Sequence, residues 1–431
     1  MKLHRTARLA LAAAVVTAFA AEPAKSTSGS AVAKSTKKAA PAPLPFVPAS
    51  TGLEFIDTSF ENASPVWYEQ APDQSILVYL MYDHERASPN RAAGHVHILL
   101  QAKPGSKLTL EFKNLENVYN GARGSIAREV RTMVISEDGR TWKAVPLESL
   151  PGDRIRLAVE MPGPRLYVAR IEPYRISDLD TFLAAIRKNP LVHIAPIGRT
   201  VQGRELELVR VGYPQSPYRV FLRARAHPWE PGGNWVVQGL VNRLLRGDAD
   251  AQRFLERTCV YVMPMANKDG VAHGRTRFNF QGKDLNRDWN RPADTRHAPE
   301  NVALEKWLEG MIAAGQKPHL AVELHNDGNG RLHISGAPVP ELARYRERMV
   351  MLEALLRRHT WFTEGSTNPA FRNAGTLGDG WLERYQIDGV VHEFSSNWIA
   401  GLKDYPSGKH WETYGANLAT VFHEYFGTIK P

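Results

Sequence analysis

At 431 residues the chain is long enough to bury a large core, and two domains are expected. The formal charge of +9 suggests nucleic acid until it is located: residues 1 to 48 hold seven Lys or Arg against Glu22 alone, so six of the nine charges lie there and the rest of the chain is nearly balanced. No concentrated basic face with stacking aromatics stands out, so no nucleic-acid partner is expected. The single cysteine, Cys259, excludes an intramolecular disulfide and sits in an apolar run, Thr258 to Met263, that reads as a buried strand.

The chain opens with Lys2, Arg5 and Arg8, an uncharged apolar run from Leu9, and the small-residue pattern Ala18-Phe19-Ala20. Residues 1–20 therefore read as a secretory signal, too short to span a bilayer. Residues 21–48 are almost wholly Ala, Pro, Lys, Ser and Thr, a composition expected to stay a disordered tether. No cysteine follows the signal's apolar run, so a periplasmic or secreted protein without a lipid anchor or membrane span is expected.

From about 49 to 175, short β-rich runs (Ile76 to Tyr82, His95 to Gln101, Lys107 to Phe112, Arg131 to Ile135, Arg154 to Val159, Leu166 to Ile171) are separated by turn chemistry such as Pro104-Gly105 and Asp138-Gly139. That spacing predicts an antiparallel β-sandwich without a catalytic cluster of its own, serving support or recognition; the sequence names no partner for it. Over 176–431 the pattern changes. Ser177 reads as the N-cap of a first helix carrying Leu179, Phe182, Leu183 and Ile186 on one face. Strand candidates at 218–226, 259–263, 320–324 and 389–394 then alternate with helical stretches at 234–245, 340–359 and 410–426. The fold class expected is α/β, a mixed and mostly parallel sheet with helices on both faces.

In such sheets ligands bind at the carboxyl ends of the strands, where His227, His325 and Glu393 fall. His227-Pro-Trp-Glu230 closes one apolar stretch and His325 closes another. A His-x-x-Glu pair with one distant His is a three-ligand zinc set, which leaves a fourth position open for water or substrate. The pair alone is weak evidence, because a polar strand-end pair capping the Gly232-Gly233-Asn234 helix start has the same spelling. The chain also holds a decoy: His297-Ala-Pro-Glu300 has identical spacing but sits among Pro292, Ala293, Asp294 and Pro299 with no strand leading in, and no metal is expected there. Between the two lies Asp284-Leu-Asn286-Arg287, preceded by Arg275 and Arg277, rich in groups that grip carboxylates through charge-assisted hydrogen bonds.

Taken in order, His227-x-x-Glu230, Arg277, Asp284-x-Asn286-Arg287, His325 and Glu393 resemble the active site of the zinc metallocarboxypeptidase (pancreatic-carboxypeptidase-like) superfamily. The His-Pro-x-Glu wording, the short interval from Gly274-Arg-Thr-Arg277 to Asp284, and the leading β-domain ending in Pro173-Tyr-Arg-Ile-Ser-Asp-Leu179 resemble its cytosolic carboxypeptidase-like branch. The resemblance implies one zinc ion held by His227, Glu230 and His325, with Asp284 orienting His227 from behind. It implies Asn286 and Arg287 on the C-terminal carboxylate of a peptide substrate, Arg277 on the scissile carbonyl, and Glu393 as the base that takes a proton from the attacking water and returns it to the leaving amine.

Two departures stand out. The pancreatic enzymes carry a mobile Tyr about two dozen residues before the catalytic Glu, where this chain reads Ala370-Phe371-Arg372-Asn373. Branch members that remove acidic residues carry Gly-Thr-x-Arg, where this chain has Gly375-Thr376-Leu377-Gly378-Asp379. Asp379 implies a pocket for a basic or amine-bearing terminal residue; Arg372 argues the opposite. The function expected is a zinc carboxypeptidase acting on peptides with a free C-terminal carboxylate. A murein-peptide amidase or small-molecule deacylase on the same scaffold, and a catalytically inactive peptide-binding protein, are the alternatives.

Overall fold

A computed structural model describes residues 52–367 and 375–429. The stretches expected to be a signal and a tether, and Arg372 with its neighbours, lie outside the described residues. Of the rest, the first half is a sandwich of two five-stranded sheets. One runs in the order Leu53–Asp57, His97–Ala102, Arg165–Ala169, Thr132–Ser136, Lys143–Pro146; the other in the order Glu148–Leu150, Arg154–Glu160, Lys107–Lys113, Ile76–Leu80, Val66–Gln70. Alternating residues such as Ile98, Leu100, Leu108, Leu110, Phe112, Ile155 and Leu157 point inward and form its core. One pairing departs from the antiparallel expectation, since Ile76–Leu80 and Lys107–Lys113 run parallel. A further sheet of four short strands, Asp83–His84, Arg91–Ala92, Glu116–Tyr119 and Ala122–Ser125, extends from the sandwich.

The second half is built on seven strands: β1 (Val192–Arg199), β2 (Glu205–Val211), β3 (Tyr218–Ala224), β4 (Thr258–Met263), β5 (Leu320–Asp327), β6 (Leu332–Ile334) and β7 (Asp388–Ser395), ordered β1-β2-β4-β3-β5-β7-β6. The four central strands β4, β3, β5 and β7 are parallel, while β1, β2 and β6 join antiparallel at the edges. The eight helices assigned among the described residues are α1 (Ile176–Ile186), α2 (Gly232–Leu244), α3 (Ala249–Arg257), α4 (Lys268–Ala272), α5 (Pro299–Ala313), α6 (Leu342–His359), α7 (Leu377–Tyr385) and α8 (Gly408–Thr428).

The central strands are apolar on both faces, as strands covered twice must be. Val220, Leu222, Val260 and Val262 pack under α1, α2, α6 and α8, whereas Phe221, Cys259, Tyr261 and Met263 pack against α5 and α7. Cys259 is a buried free thiol whose pKa burial pushes up to about 11, so it serves as a small core residue. Two glycines let α2 and α8 cross in contact. A Cβ on Gly239 would fall 2.0 Å from the Glu412 carbonyl oxygen, and one on Gly415 would fall 1.9 Å from that of Val236.

The first helix starts differently from expectation. Arg175 occupies the N-cap and its backbone N–H donates to Asp178 Oδ2 at 2.7 Å, while Ser177 is the second helical residue and its hydroxyl donates to Glu61 Oε2 at 2.6 Å. An Asp three residues after the cap satisfies the cap's own N–H, and the Ser177 side chain serves Glu61 instead of a helix end.

All the described residues belong to one compact unit, and the sandwich reaches the strand ends of the second half through named contacts. Buried Arg170 donates to the Ser396 carbonyl (3.1 Å), Ser396 Oγ (3.0 Å) and Asn397 Oδ1 (3.1 Å), just beyond β7. Asp83 Oδ2 accepts from the backbone N–H of Arg277 (2.8 Å) and Phe278 (2.9 Å).

Candidate metal centre and substrate cleft

The His-x-x-Glu motif is held by the strand that precedes it. After β3 the chain turns at Arg225, a non-glycine residue at φ +63°. This backbone conformation costs roughly 1–3 kcal/mol. The Arg225 guanidinium offsets that cost: fully buried, it donates to the carbonyls of Pro228 (2.7 Å) and Tyr174 (3.0 Å) and to Asn234 Oδ1 (3.0 Å), fixing the motif loop to the start of α2. Asn326 on β5 caps that start by accepting from the Gly232 N–H at 2.8 Å.

His325 and Glu393 are direct neighbours in the β5/β7 register. His227 Nδ1, a Glu230 carboxylate oxygen and His325 Nδ1 converge: Nδ1 to Nδ1 is 3.1 Å, Glu230 Oε1 lies 2.9 Å from His227 Nδ1, and Glu230 Oε2 lies 2.6 Å from His325 Nδ1. All three side chains are buried.

Each imidazole is turned inward by a carboxylate behind it. His227 Nε2 lies 3.0 Å from Asp284 Oδ1, and His325 Nε2 lies 3.1 Å from Glu323 Oε1. With the outer nitrogens donating, the two inner nitrogens face one another as acceptors beside an anion, and only a proton or a cation relieves that arrangement. In the protein alone a proton does so. Although burial opposes it, the facing Glu230 carboxylate raises the His325 pKa to about 10. Glu230 is pulled well down by the two imidazoles against its own burial. Two nitrogens and one carboxylate oxygen, each histidine backed by an acid, fit a zinc ion.

Glu323 was not anticipated from the sequence. Its signal was present, because residue i−2 on a strand shares the face of His325 and so lies behind it. Glu323 is in turn held by Arg223 across β3/β5, Nε to Oε2 at 2.7 Å, with both side chains buried.

Around this centre Arg277 donates through Nε (2.7 Å) and Nη2 (2.6 Å) to Asp284 Oδ2. Asn286 Oδ1 accepts from the Leu377 N–H at 2.9 Å, which leaves its Nδ2, 3.0 Å from the donating His325 Nε2, with hydrogens to offer. Arg287 places one N–H on the Asn286 carbonyl at 2.8 Å, and burial lowers its pKa. Glu393 Oε2 is sealed from solvent with no hydrogen-bond partner among the described residues. Burial, followed by the nearby Asp327 carboxylate, pushes the Glu393 pKa well up. Asp379 is buried in the first turn of α7 and accepts from the Ser335 hydroxyl. Asp327, His333 and Glu393 also lie close enough together to hold a cation, but they are more exposed and offer one nitrogen.

The Trp229 indole links the motif to the sandwich. It packs against the sandwich core beside Gly94 and Ile126, while its Nε1 donates to Glu230 Oε1 at 3.0 Å.

Residues 180–322 match the zinc carboxypeptidase family model. The chain is 33% identical over 156 residues to cytosolic carboxypeptidase 6 of Caenorhabditis elegans, covering 35% of this chain and 34% of that protein. It is 41% identical over 113 residues to cytosolic carboxypeptidase 1 of Homo sapiens, covering 26% and 9%. The matches thus span about a third or less of these relatives. In fold, the chain is similar to a metallo-carboxypeptidase from Burkholderia cenocepacia, with a TM-score of 0.74 and 23% identity over 87% of this chain and 99% of the other. Residues 180–322 are thus similar to the zinc carboxypeptidase family, and these relatives of the chain are cytosolic carboxypeptidases.

Proposed function

We propose that this chain hydrolyses the C-terminal amide bond of peptides as a zinc carboxypeptidase. The observation that carries the reading is the register neighbour of a metal ligand: Glu393, beside His325, with a sealed and unpartnered carboxylate oxygen and a pKa pushed up by burial. Such a group is a general base without a structural task.

His227, Glu230 and His325 would hold the zinc, which when bound supplies a Lewis acid at a carbonyl oxygen and a low-pKa water. Glu393 accepts the proton of the attacking water as its oxygen adds to the scissile carbon, and delivers it to the amine nitrogen as the C–N bond breaks. Arg277, locked to Asp284, donates toward the carbonyl oxygen as negative charge develops there. Arg287, with Asn286 beside it, meets the substrate's terminal carboxylate. Asp379 supports a preference for Lys, Arg or diaminopimelate at the terminus, a preference that faster cleavage of a Glu-terminated peptide than of its Lys-terminated twin would overturn.

The alternative on the same centre is a murein-peptide amidase or deacylase, which needs no carboxylate clamp. The deciding experiment is hydrolysis of N-blocked dipeptides ending in Lys, Glu, Phe and diaminopimelate, with and without chelator, with Glu393→Gln as control. Chelator-sensitive release of the last residue by the parent protein alone supports the carboxypeptidase; no release from any of them moves the assignment to the amidase or deacylase.

Export to the periplasm or medium is part of the proposal and rests on residues 1–20. No described helix is long and apolar enough to cross a membrane. Amino-terminal sequencing after cell fractionation checks it, and a soluble cytosolic protein still beginning at Met1 contradicts it.

A further inference from the structure

The sandwich places an aromatic ring on the catalytic arginine. The strands Glu116–Tyr119 and Ala122–Ser125 form a hairpin with Tyr119 paired to Ala122 across Asn120-Gly121, both at positive φ (50° and 75°). This is the backbone that a two-residue hairpin turn requires. The Gly121 N–H donates to Asn90 Oδ1 at 3.0 Å and ties the tip down.

Tyr119 at that tip lies with its ring centroid 4.8 Å from the Arg277 guanidinium carbon. Arg277 is thereby held from two sides, by Asp284 along its edge and by the phenol ring on its face. From Asp284 the contacts continue to His227, so Tyr119 stands three contacts from the metal centre.

The ring has a structural task, but the hydroxyl has none. Among the described residues no hydrogen bond engages it, and the residue is half-buried beside Arg277. Its charged surroundings are those of the site: Arg277, Asp83, Glu129 and, on the metal side, Glu230 all act on it. Burial raises the phenol above its ordinary pKa, which keeps it a neutral donor. A phenol at the end of a pinned hairpin, on top of an arginine that faces the scissile bond, is placed to donate to a peptide carbonyl.

We propose that the Tyr119 hydroxyl, supplied by the sandwich, donates a hydrogen bond to a backbone carbonyl oxygen of the bound peptide, while its ring fixes the Arg277 guanidinium. This rests on the peptide-substrate reading above and makes the sandwich one wall of the substrate cleft.

Tyr119→Phe separates the two roles, because it keeps the ring and removes the hydroxyl. With a peptide that the parent protein cleaves, the substitution is expected to raise KM about three- to tenfold with little change in kcat, the effect of losing one neutral hydrogen bond. Zinc content and Tm should match the parent. Tyr119→Leu, which also frees Arg277, is expected to lower kcat. The second arm needs no turnover: calorimetric Kd values for the same peptide with zinc-loaded Glu393→Gln and with Glu393→Gln carrying Tyr119→Phe. A three- to tenfold weaker Kd in the double variant supports the proposal. A Kd within twofold, or no binding by either protein, overturns it. If the parent cleaves the peptide and Tyr119→Phe has an unchanged KM, this proposal fails and the carboxypeptidase reading stands. If the parent cleaves nothing, that reading fails and the binding arm alone decides the role of Tyr119.

Discussion

Two segments of the chain share the spelling His-x-x-Glu, and the fold treats them in opposite ways. His227 and Glu230 follow a central parallel strand, both side chains are buried, and a third ligand-type side chain, His325, arrives from the next strand in the sheet. His297 and Glu300 straddle the start of α5. His297 is bonded to Asp294 at 3.1 Å, while Glu300 is buried in the first helical turn and accepts from Asn279 Nδ2 at 3.0 Å. In the first pair, facing imidazoles hold the carboxylate ionised against its burial. In the second, burial prevails and raises the Glu300 pKa to about 7. Spacing therefore selects candidates, and a metal site is made by what the neighbouring strand and the residues behind the ligands contribute.

The largest expected effect is on turnover. Glu393→Gln should lower kcat roughly 10²–10⁴-fold, the usual contribution of a general acid–base group, while zinc content stays at the parent level. Zinc lost along with activity would mean that Glu393 belongs to the metal centre.

Next comes the support behind the ligands. Asp284→Asn and Glu323→Gln should each weaken zinc binding about 10–100-fold in competition titrations with a chelator. Glu323→Gln should also destabilise the protein, because it leaves the buried Arg223 without its counter-charge. If only Asp284→Asn weakened zinc binding, the two histidines would not be equivalent.

The smallest effect lies in the decoy and is read as a function of pH. Between an unfolded value near 4.5 and a folded value of about 7, Glu300 keeps a proton in the folded protein that the unfolded chain has released. Stability from this group is therefore full at low pH and is lost as pH rises through that window. Glu300→Gln should leave zinc binding unchanged, raise stability at pH 8 by on the order of 1–3 kcal/mol, and have little effect at pH 4. An equal gain at both pH values would place the effect in packing rather than in ionisation.

Much of the catalytic half was legible because its central strands are short, continuous apolar runs that end at the candidate ligands. The edges were not. Val192–Arg199 carries Pro196, is half exposed along most of its length and has no clean alternation, so nothing in the sequence marked it as a strand. The helix Pro299–Ala313 was hidden by the proline that starts it, since Pro at the first helical position also reads as a loop. The helix Leu377–Tyr385 contains Gly378 and Gly380, both poor helix formers. The first is there because a Cβ would fall 3.2 Å from the Gly389 backbone of β7, a tertiary reason invisible along the chain.

The site divides in the same way. The ligands, Asp284 and Glu393 could be chosen from order and spacing. The contacts between the halves, Trp229 packed against the sandwich core and Tyr119 on the face of Arg277, depend on how two distant stretches meet.

The most direct measurement is zinc per chain, by elemental analysis after exhaustive dialysis, for the parent protein, His325→Ala and His297→Ala. The account predicts one zinc in the parent and in His297→Ala and a small fraction of one in His325→Ala. Full zinc in His325→Ala, or its loss from His297→Ala, would contradict the assignment of the centre to His227, Glu230 and His325.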